Sequence, residues 1–395
     1  MMGFLTAPRF CFGPQALEQL SSLDLHRVAL VVAPPLRAGA RVLRIQEEVA
    51  KTDARAELFD GPPGEPTLEG VEALAVELRR FGPDWIVAVG GGSVLDGAKG
   101  AWARYERPEL SLPEITPMTE LKLRTRARFV AVPTTAGSGS ESNGMVHLHR
   151  PDGPLLEIGS RELEPDWALL DPGWLETLTP QQLAWGGGDA LVHALEAVAS
   201  EWSSPFTDAM AREAIGRLLK DLPRVRKGPV TPDLFQSIQA AAALAGLAAG
   251  NAQSGAIHAL AHALQAAAKL PHAPAAAALI PYVLEYNFDA ARERFQGLQP
   301  ILGAGPVQDR HALAARFRTF AEQAGLPRTL EQAGLAPDRF RAERDRILAF
   351  ARSAPALVGN PRLPSSEELA RLLDDAVRGG PEPRGAAGAR SDQTI

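Results

Sequence analysis

Asp189 and His193 stand four positions apart in a stretch of helical periodicity, so both side chains leave one face of a helix within about one turn of each other. His258 and His262 repeat that spacing, and His272 follows Pro271. Their neighbours are Ala and Leu rather than charges. A carboxylate on so apolar a face needs a cation or several donors. A straight helix from His258 to His272 would span about 21 Å at roughly 1.5 Å per residue, whereas ligands of one metal sit about 2 Å from it. Joining the two requires the helix to stop before Pro271 and the chain to fold back, and Leu270-Pro271 is a suitable stop. The set Asp189, His193, His258 and His272 then offers three imidazoles and one carboxylate, suited to Fe(II), Zn(II) or a similar divalent ion. The alternative is a group of core histidines without metal.

A second chemistry is written in glycines. Residues 85–89 are an apolar run that passes into Gly90-Gly91-Gly92 and then Ser93-Val-Leu-Asp96, the start of a helix. Glycines let the backbone turn sharply and approach a ligand, and the helix start behind them suits a pyrophosphate. The run 129–132 ends in the same manner, in Pro133-Thr-Thr-Ala-Gly-Ser-Gly-Ser-Glu141. Two small-residue loops at the carboxyl ends of buried strands are where parallel sheets place a ligand crevice. Each loop also has a plainer reading as a tight turn closed by a capping box, Ser93 with Asp96 and Ser138 with Glu141.

These residues need elements to hold them. Residues 28–32, 85–89 and 129–132 are continuous apolar runs, as buried parallel strands require. Between the first two, Thr67 can cap a helix with Val71, Leu74 and Leu78 on one face, ended near Gly82 and Pro83. Beyond about residue 180 helical periodicity takes over, in 189–201, 208–222, 234–249, 256–270, 311–324 and 366–377. The helix bearing Asp189 is expected to begin after Gly186-Gly-Gly188. The expected organisation is an α/β nucleotide-binding domain with a parallel sheet over 1–180, an all-α metal-binding domain over 181–378, and a disordered tail over 379–395.

Composition removes other classes. A chain of 395 residues exceeds one ordinary core. With 41 basic against 47 acidic residues neither a polyanion-binding surface nor an acidic tail dominates, and nucleic acid is not an expected partner. Cys11 is the only cysteine, so a thiolate-rich zinc site and an intrachain disulfide are excluded, and a reducing, cytoplasmic setting fits. The Ala-rich region 238–284 is cut by Asn251, Gln253, His258, His262, Gln265 and Lys269 into pieces too short to span a bilayer, so no membrane association is expected.

Taken in order, Phe12-Gly-Pro, Gly90-Gly-Gly-Ser-Val-Leu-Asp-Gly-Ala-Lys99, Pro133-Thr-Thr-Ala-Gly-Ser-Gly-Ser-Glu141, Leu170-Asp-Pro172, Asp189-Ala-Leu-Val-His193, His258-Ala-Leu-Ala-His262, Pro271-His272 and Asn360-Pro-Arg362 resemble the iron-containing (group III) alcohol dehydrogenases over nearly the whole chain. The resemblance implies a dinucleotide domain, a helical domain and a catalytic cleft between them, with NAD or NADP as cofactor and one divalent metal, Fe(II) ahead of Zn(II). By position it makes Asp189, His193, His258 and His272 the metal ligands and His262 a non-ligand histidine beside nicotinamide and substrate. Gly91, Gly92, Ser93, Asp96, Thr134, Thr135 and Ser138 become cofactor contacts. Hydride transfer with a small alcohol or carbonyl partner, and a homodimer, are implied in the same way.

Several positions depart from the family pattern. Pro34 replaces the Asp that commonly receives the ribose hydroxyls, and with Arg37 nearby NADP(H) becomes an option. A lysine common downstream of Gly-Ser-Glu is missing, since no Lys lies between 122 and 220. Ala273 replaces a glycine, and Gly246-Leu-Ala-Ala-Gly-Asn251 is small where some relatives place an aromatic, which suggests a roomier pocket. The rival activities are a dehydroquinate-synthase-like lyase or cyclase and a non-catalytic nucleotide-binding relative. Lys269 is the only lysine near the proposed ligands, which argues against the polyanionic substrates of the former.

Overall fold

The computed structural model describes residues 8–303 and 307–379. Apolar strand runs and capped amphipathic helices sort the first 170 residues into one layer arrangement. Strands β1 (Arg9–Phe12), β2 (Arg27–Val32), β3 (Arg55–Asp60), β4 (Trp85–Gly90), β5 (Arg128–Pro133) and β8 (Trp167–Leu170) form a parallel sheet in the order β1-β8-β5-β4-β2-β3. The hairpin strands β6 (Met145–Leu148) and β7 (Leu156–Gly159) make a separate antiparallel pair. Helices α1 (Ala40–Ala50), α2 (Leu68–Phe81) and α3 (Gly92–Glu106) cover the sheet.

The strand runs are unbroken because both faces are buried. Val28, Leu30, Val32, Val87, Val89, Val130 and Val132 pack on the face of α1, while Ala29, Val31, Ile86, Ala88, Phe129 and Ala131 pack toward α2 and α3. Thr67 caps α2 by accepting from the Gly70 N–H, and Gly82 ends it in the left-handed region at φ 66°, as the sequence predicts.

From Pro180 onward every regular element among the described residues is helical: α4 (Pro180–Ala199), α5 (Pro205–Lys227), α6 (Pro232–Ala252), α7 (Ala256–Ala268), α8 (His272–Asn287), α9 (Arg292–Gln296), α10 (Gln299–Leu302), α11 (Arg310–Ala324), α12 (Pro337–Arg352) and α13 (Ser366–Arg378). They enclose one Ala- and Leu-rich core. No helix among the described residues is long and apolar enough to cross a membrane. The expected tail falls outside the described residues except for Gly379, which caps α13.

Two expectations are corrected. The helix bearing Asp189 does not begin after Gly188; it begins at Pro180 under a Thr179–Gln182 capping box, and the three glycines lie inside it. They are small because of what crosses them. A Cβ at Gly186 would meet the Ala136 carbonyl oxygen at 2.8 Å, at Gly187 the Leu222 side chain at 2.3 Å, and at Gly188 Leu326 at 2.9 Å. The helix α8 also goes unrecognised in the sequence, because Pro274 and Pro281 punctuate it. Pro274 sits in the first turn, where no intrahelical N–H bond is lost.

The sheet and the helices meet backbone to backbone at Gly139 and Gly246, where a Cβ on Gly246 would lie 2.5 Å from the Gly139 Cα. Gly250 is likewise pressed on the Asn143 side chain, so smallness at 246 and 250 serves these contacts, and Gly250 with Ala249 also lines the cleft. Gly246→Ala gains helix propensity of about 1 kcal/mol but forces two backbones apart. The expected net loss is on the order of 1–3 kcal/mol, read as a lower urea midpoint; an unchanged midpoint would show that the contact yields freely.

Candidate active site

Three helices bring the histidines together. α4 carries Asp189 and His193, α7 carries His258 and His262, and the chain turns at Lys269 (φ 55°), Leu270 and Pro271 so that α8 opens with His272. The required fold-back is thus present. The ligand atoms of Asp189, His258 and His272 lie within 4.8 Å of one another, and the His193 Nε2 lies 3.1 Å from the His258 Nε2.

This geometry is uncomfortable without a cation. His193 Nδ1 faces the Asp189 carbonyl oxygen at 3.0 Å, and His258 Nδ1 faces Glu196 Oε2 at 2.6 Å. Each Nδ1 therefore carries its ring's proton, and the two Nε2 lone pairs confront each other. His272 Nδ1 is buried without a hydrogen-bond partner, while Asp189 Oδ1, also buried, has His272 Nε2 at 3.2 Å. Burial drives His193 down to about 4 and His258 to about 3, and neighbouring imidazoles add to it, so both are neutral donors of electron pairs. Burial opposes the charge on Asp189, yet the surrounding imidazoles hold its carboxyl well below the usual range. The residues fit a divalent metal.

Glu196 is a site residue that sequence reading passed over. Its carboxylate accepts from the Gly255 and Ile257 N–H groups at 2.8 and 2.7 Å as well as from His258, which fixes the ring's tautomer and direction. Its position seven residues after Asp189 on α4, on the same face, was the available signal.

Opposite the histidines lie the two glycine loops. α3 starts at Gly92 with no side-chain cap, so the plainer alternative, a Ser93–Asp96 capping box, does not form. Ser93 Oγ instead donates to Glu65 Oε2 at 3.1 Å, and Glu65 Oε1 accepts from Gln265 of α7 at 2.8 Å. The two loops touch: a Cβ on Gly91 would meet Thr135 at 3.3 Å, and one on Gly92 would meet Ser138 Oγ at 2.6 Å. The second capping box is absent too, because Ser138 Oγ accepts from the Ser140 N–H while Glu141 is buried. Burial pushes the Glu141 carboxyl up to about 7.

A cleft of about 440 Å³ joins both sides. Gly92, Ser93, Asp96, Thr135 and Ser138 line it together with Asp189, His193, His258, His262 and His272. Gly91 and Thr134 lie just behind, Gly91 as the residue preceding α3 and Thr134 buried with its N–H on the Gly90 carbonyl. Asp96 faces the cleft, but its carboxylate is already held by Ser140 Oγ, the His147 N–H at 2.9 Å and His147 Nδ1 at 3.0 Å. Burial opposes that charge, and Lys99 and His147 hold it down to about 2. Lys99, fully buried, donates to the carbonyls of Ser140, Asn143 and Met145 and so pins the connection from β5 to β6.

His262 faces a second group, His147 of β6 and Glu157 of β7, with Nδ1 3.0 Å from Glu157 Oε1. Neither His147 nor Glu157 is signalled in the sequence. Pro34 opens a short turn after β2, and Arg37 Nη1 pairs with Asp60 Oδ1 at 2.5 Å rather than standing free.

Residues 7–172 match the family described as iron-containing alcohol dehydrogenase, and residues 183–377 match the C-terminal part of the Fe-containing alcohol dehydrogenase family. An NADPH-dependent butanol dehydrogenase of Clostridium saccharobutylicum is 30% identical over 380 residues, 95% of this chain and 97% of that protein. An alcohol dehydrogenase of Thermococcus barophilus is 33% identical, over 95% of this chain and 99% of its own. Among solved structures, the iron-containing alcohol dehydrogenase of Thermococcus thioreducens superposes with a TM-score of 0.86 at 30% identity, covering 95% of this chain and all of that one.

The carboxylate behind His258 sets the first test of the site. Glu196→Gln should weaken metal binding about 10- to 100-fold, measured by competition with a chelator. Unchanged affinity would reduce Glu196 to a helix-capping role.

Proposed function

The chain belongs to the iron-containing alcohol dehydrogenase family and is an NAD(P)-dependent alcohol oxidoreductase, and from that premise we propose which of its residues carry the reaction. Asp189, His193, His258 and His272 hold one divalent metal, iron ahead of zinc. The observation that carries this is the pair of Nε2 lone pairs facing each other at 3.1 Å beside the buried Asp189 carboxylate and His272. When bound, the metal supplies a Lewis acid for the substrate oxygen, and the nicotinamide supplies or receives the hydride.

The protein does the rest. Gly91 and Gly92 let the start of α3 approach the pyrophosphate, with Ser93, Thr135 and Ser138 as side-chain donors and Thr134 setting the loop behind them. Asp96 acts through Ser140 and His147, which it holds in place. His262, deep in the cleft and bonded at Nδ1, takes the alcohol proton at Nε2 and returns it in the reverse direction. Leu178, Trp185, Pro355 and Ala356 line the same cleft and limit water there. The substrate is a small alcohol or its aldehyde or ketone.

Both NAD(H) and NADP(H) are accepted in this reading, with Arg37 at the edge of β2 and β3 available to a 2′-phosphate once it leaves Asp60. The division at about residue 180 separates a nucleotide-binding domain, 1–180, from a metal-binding domain, 181–378, held against each other across the cleft. A cytoplasmic location rests on the lone Cys11, and a homodimer on family resemblance. The lyase or cyclase alternative is not favoured, because the full-length relatives are alcohol dehydrogenases.

His258→Ala should lose stoichiometric metal and turnover together, whereas His262→Ala should keep the metal and lose about 10²- to 10⁴-fold in kcat. Elemental analysis alongside kinetics separates them; full turnover of a metal-free preparation would refute the assignment. A panel of alcohols and aldehydes assayed with each cofactor addresses Arg37. Arg37→Ala should raise KM for NADPH several-fold more than KM for NADH, and equal changes would remove Arg37 from cofactor choice.

A further inference from the structure

Strand alternation sends successive side chains to opposite faces. In the β6–β7 hairpin Val146, Leu148, Leu156 and Ile158 face the sheet-side core. His147 and Glu157, directly paired in the antiparallel register, face the other way, into the catalytic cleft. The register thus delivers an imidazole and a carboxylate side by side to a wall whose opposite member is His262. Glu157 Oε1 lies 3.0 Å from His262 Nδ1, and the His147 and His262 ring centroids are 4.9 Å apart. His147 is itself anchored, through Nδ1 and its backbone N–H, on Asp96.

We propose that Glu157 is a positioning residue for His262: its carboxylate accepts the Nδ1–H and so holds the ring in the tautomer whose Nε2 lone pair is free toward the metal ligands and substrate. The inference rests on the reading of His262 as the proton carrier. A neutral imidazole has one donor and one acceptor nitrogen, and an acceptor-only carboxylate at one of them decides which is which. Glu157 can do this because it stays ionised. Burial opposes the charge, but the facing imidazoles of His262 and His147 hold the carboxyl down to about 2. His147 supports Glu157 from the neighbouring strand, and Asp96 fixes His147, so the arm runs from α3 through the hairpin to α7. The sheet half therefore orients the proton carrier of the helical half.

The near-isosteric Glu157→Gln keeps the side chain's volume but replaces an obligate acceptor by an amide that can present either group. In the metal-loaded enzyme kcat should fall about 10- to 100-fold, with KM for the cofactor within about twofold of wild type and one metal per chain retained. Placed in a His262→Ala background, the same change should cost nothing further, because a residue acting through His262 has nothing left to orient. In ¹⁵N-histidine spectra, the wild-type His262 should carry its proton on Nδ1, and Glu157→Gln should give a mixture of tautomers.

Other outcomes overturn the inference. An equal loss in both backgrounds makes Glu157 structural. A full rate in Glu157→Gln, or a wild-type His262 protonated at Nε2, removes the orienting role. Two metals per chain, one of them lost in Glu157→Gln, would make His147, Glu157 and His262 a second metal site instead. If His262→Ala alone keeps full activity, the broader assignment of the proton carrier fails and takes this inference with it, a result distinct from failure of Glu157→Gln alone.

Discussion

Two unprotonated ring nitrogens 3.1 Å apart at the wall of the cleft are the constraint around which the helical half is arranged. Their mutual repulsion disfavours the bare site, and a cation converts it into attraction. Holding both rings in that posture takes the α4 backbone, Glu196, and two N–H groups at the start of α7. The turn at Lys269 to Pro271 then adds His272. Since α4 and α7 each pack on α8 as ordinary Ala- and Leu-rich helices, the apolar core sets the distances and the polar groups set the directions.

A metal alone does not make a dehydrogenase, because hydride and proton must leave the same carbon and oxygen within one closed space. The fold achieves that closure with glycine. Gly137 crosses Gly186, and Gly139 crosses Gly246, at spacings that admit no side chain, so the loop after β5 is clamped to α4 and α6. Polar contacts repeat the clamp at the cleft, Glu65 to Gln265 and Glu157 to His262, and below it from Gln239 to the Asp171 carbonyl. The nucleotide loops and the histidines therefore belong to one structure, whose two sides cannot shift independently by much without opening backbone contacts.

The parts legible in the sequence are those whose signal is local. An i,i+4 pair on a helix, an apolar strand run ending in glycines, and a Thr cap followed by a Gly stop each state their own geometry within a few residues. The pairs Asp189/His193 and His258/His262 and the two small-residue loops are legible from such signals. The strands β1, β3 and β8 were not recognised. β3 is an edge strand with mostly exposed side chains, and β1 and β8, of four residues each, are too short to show a period. The glycines of α4 misled for a related reason: the sequence shows that small residues are present, while the partners that require smallness, Ala136, Leu222 and Leu326, are distant in the chain.

His147 and Glu157 mark the limit of sequence reading most sharply. Each alone is a polar residue in a short alternating strand, which ordinarily means a solvent-facing position. Only the hairpin register makes them neighbours, and only the packing of the hairpin against α3 and α7 turns their face from solvent to cleft. Polar residues on that face would be costly if left unpaired, and each has a specific partner, Asp96 for His147 and His262 for Glu157. No Lys lies between 122 and 220, so imidazoles face the buried Glu157 on the hairpin, while at Asp96 His147 shares that task with Lys99. An imidazole can do so while also fixing direction through a single N–H, which a freely rotating ammonium group cannot. This exchange of charge for orientation is what distinguishes the wall of this cleft.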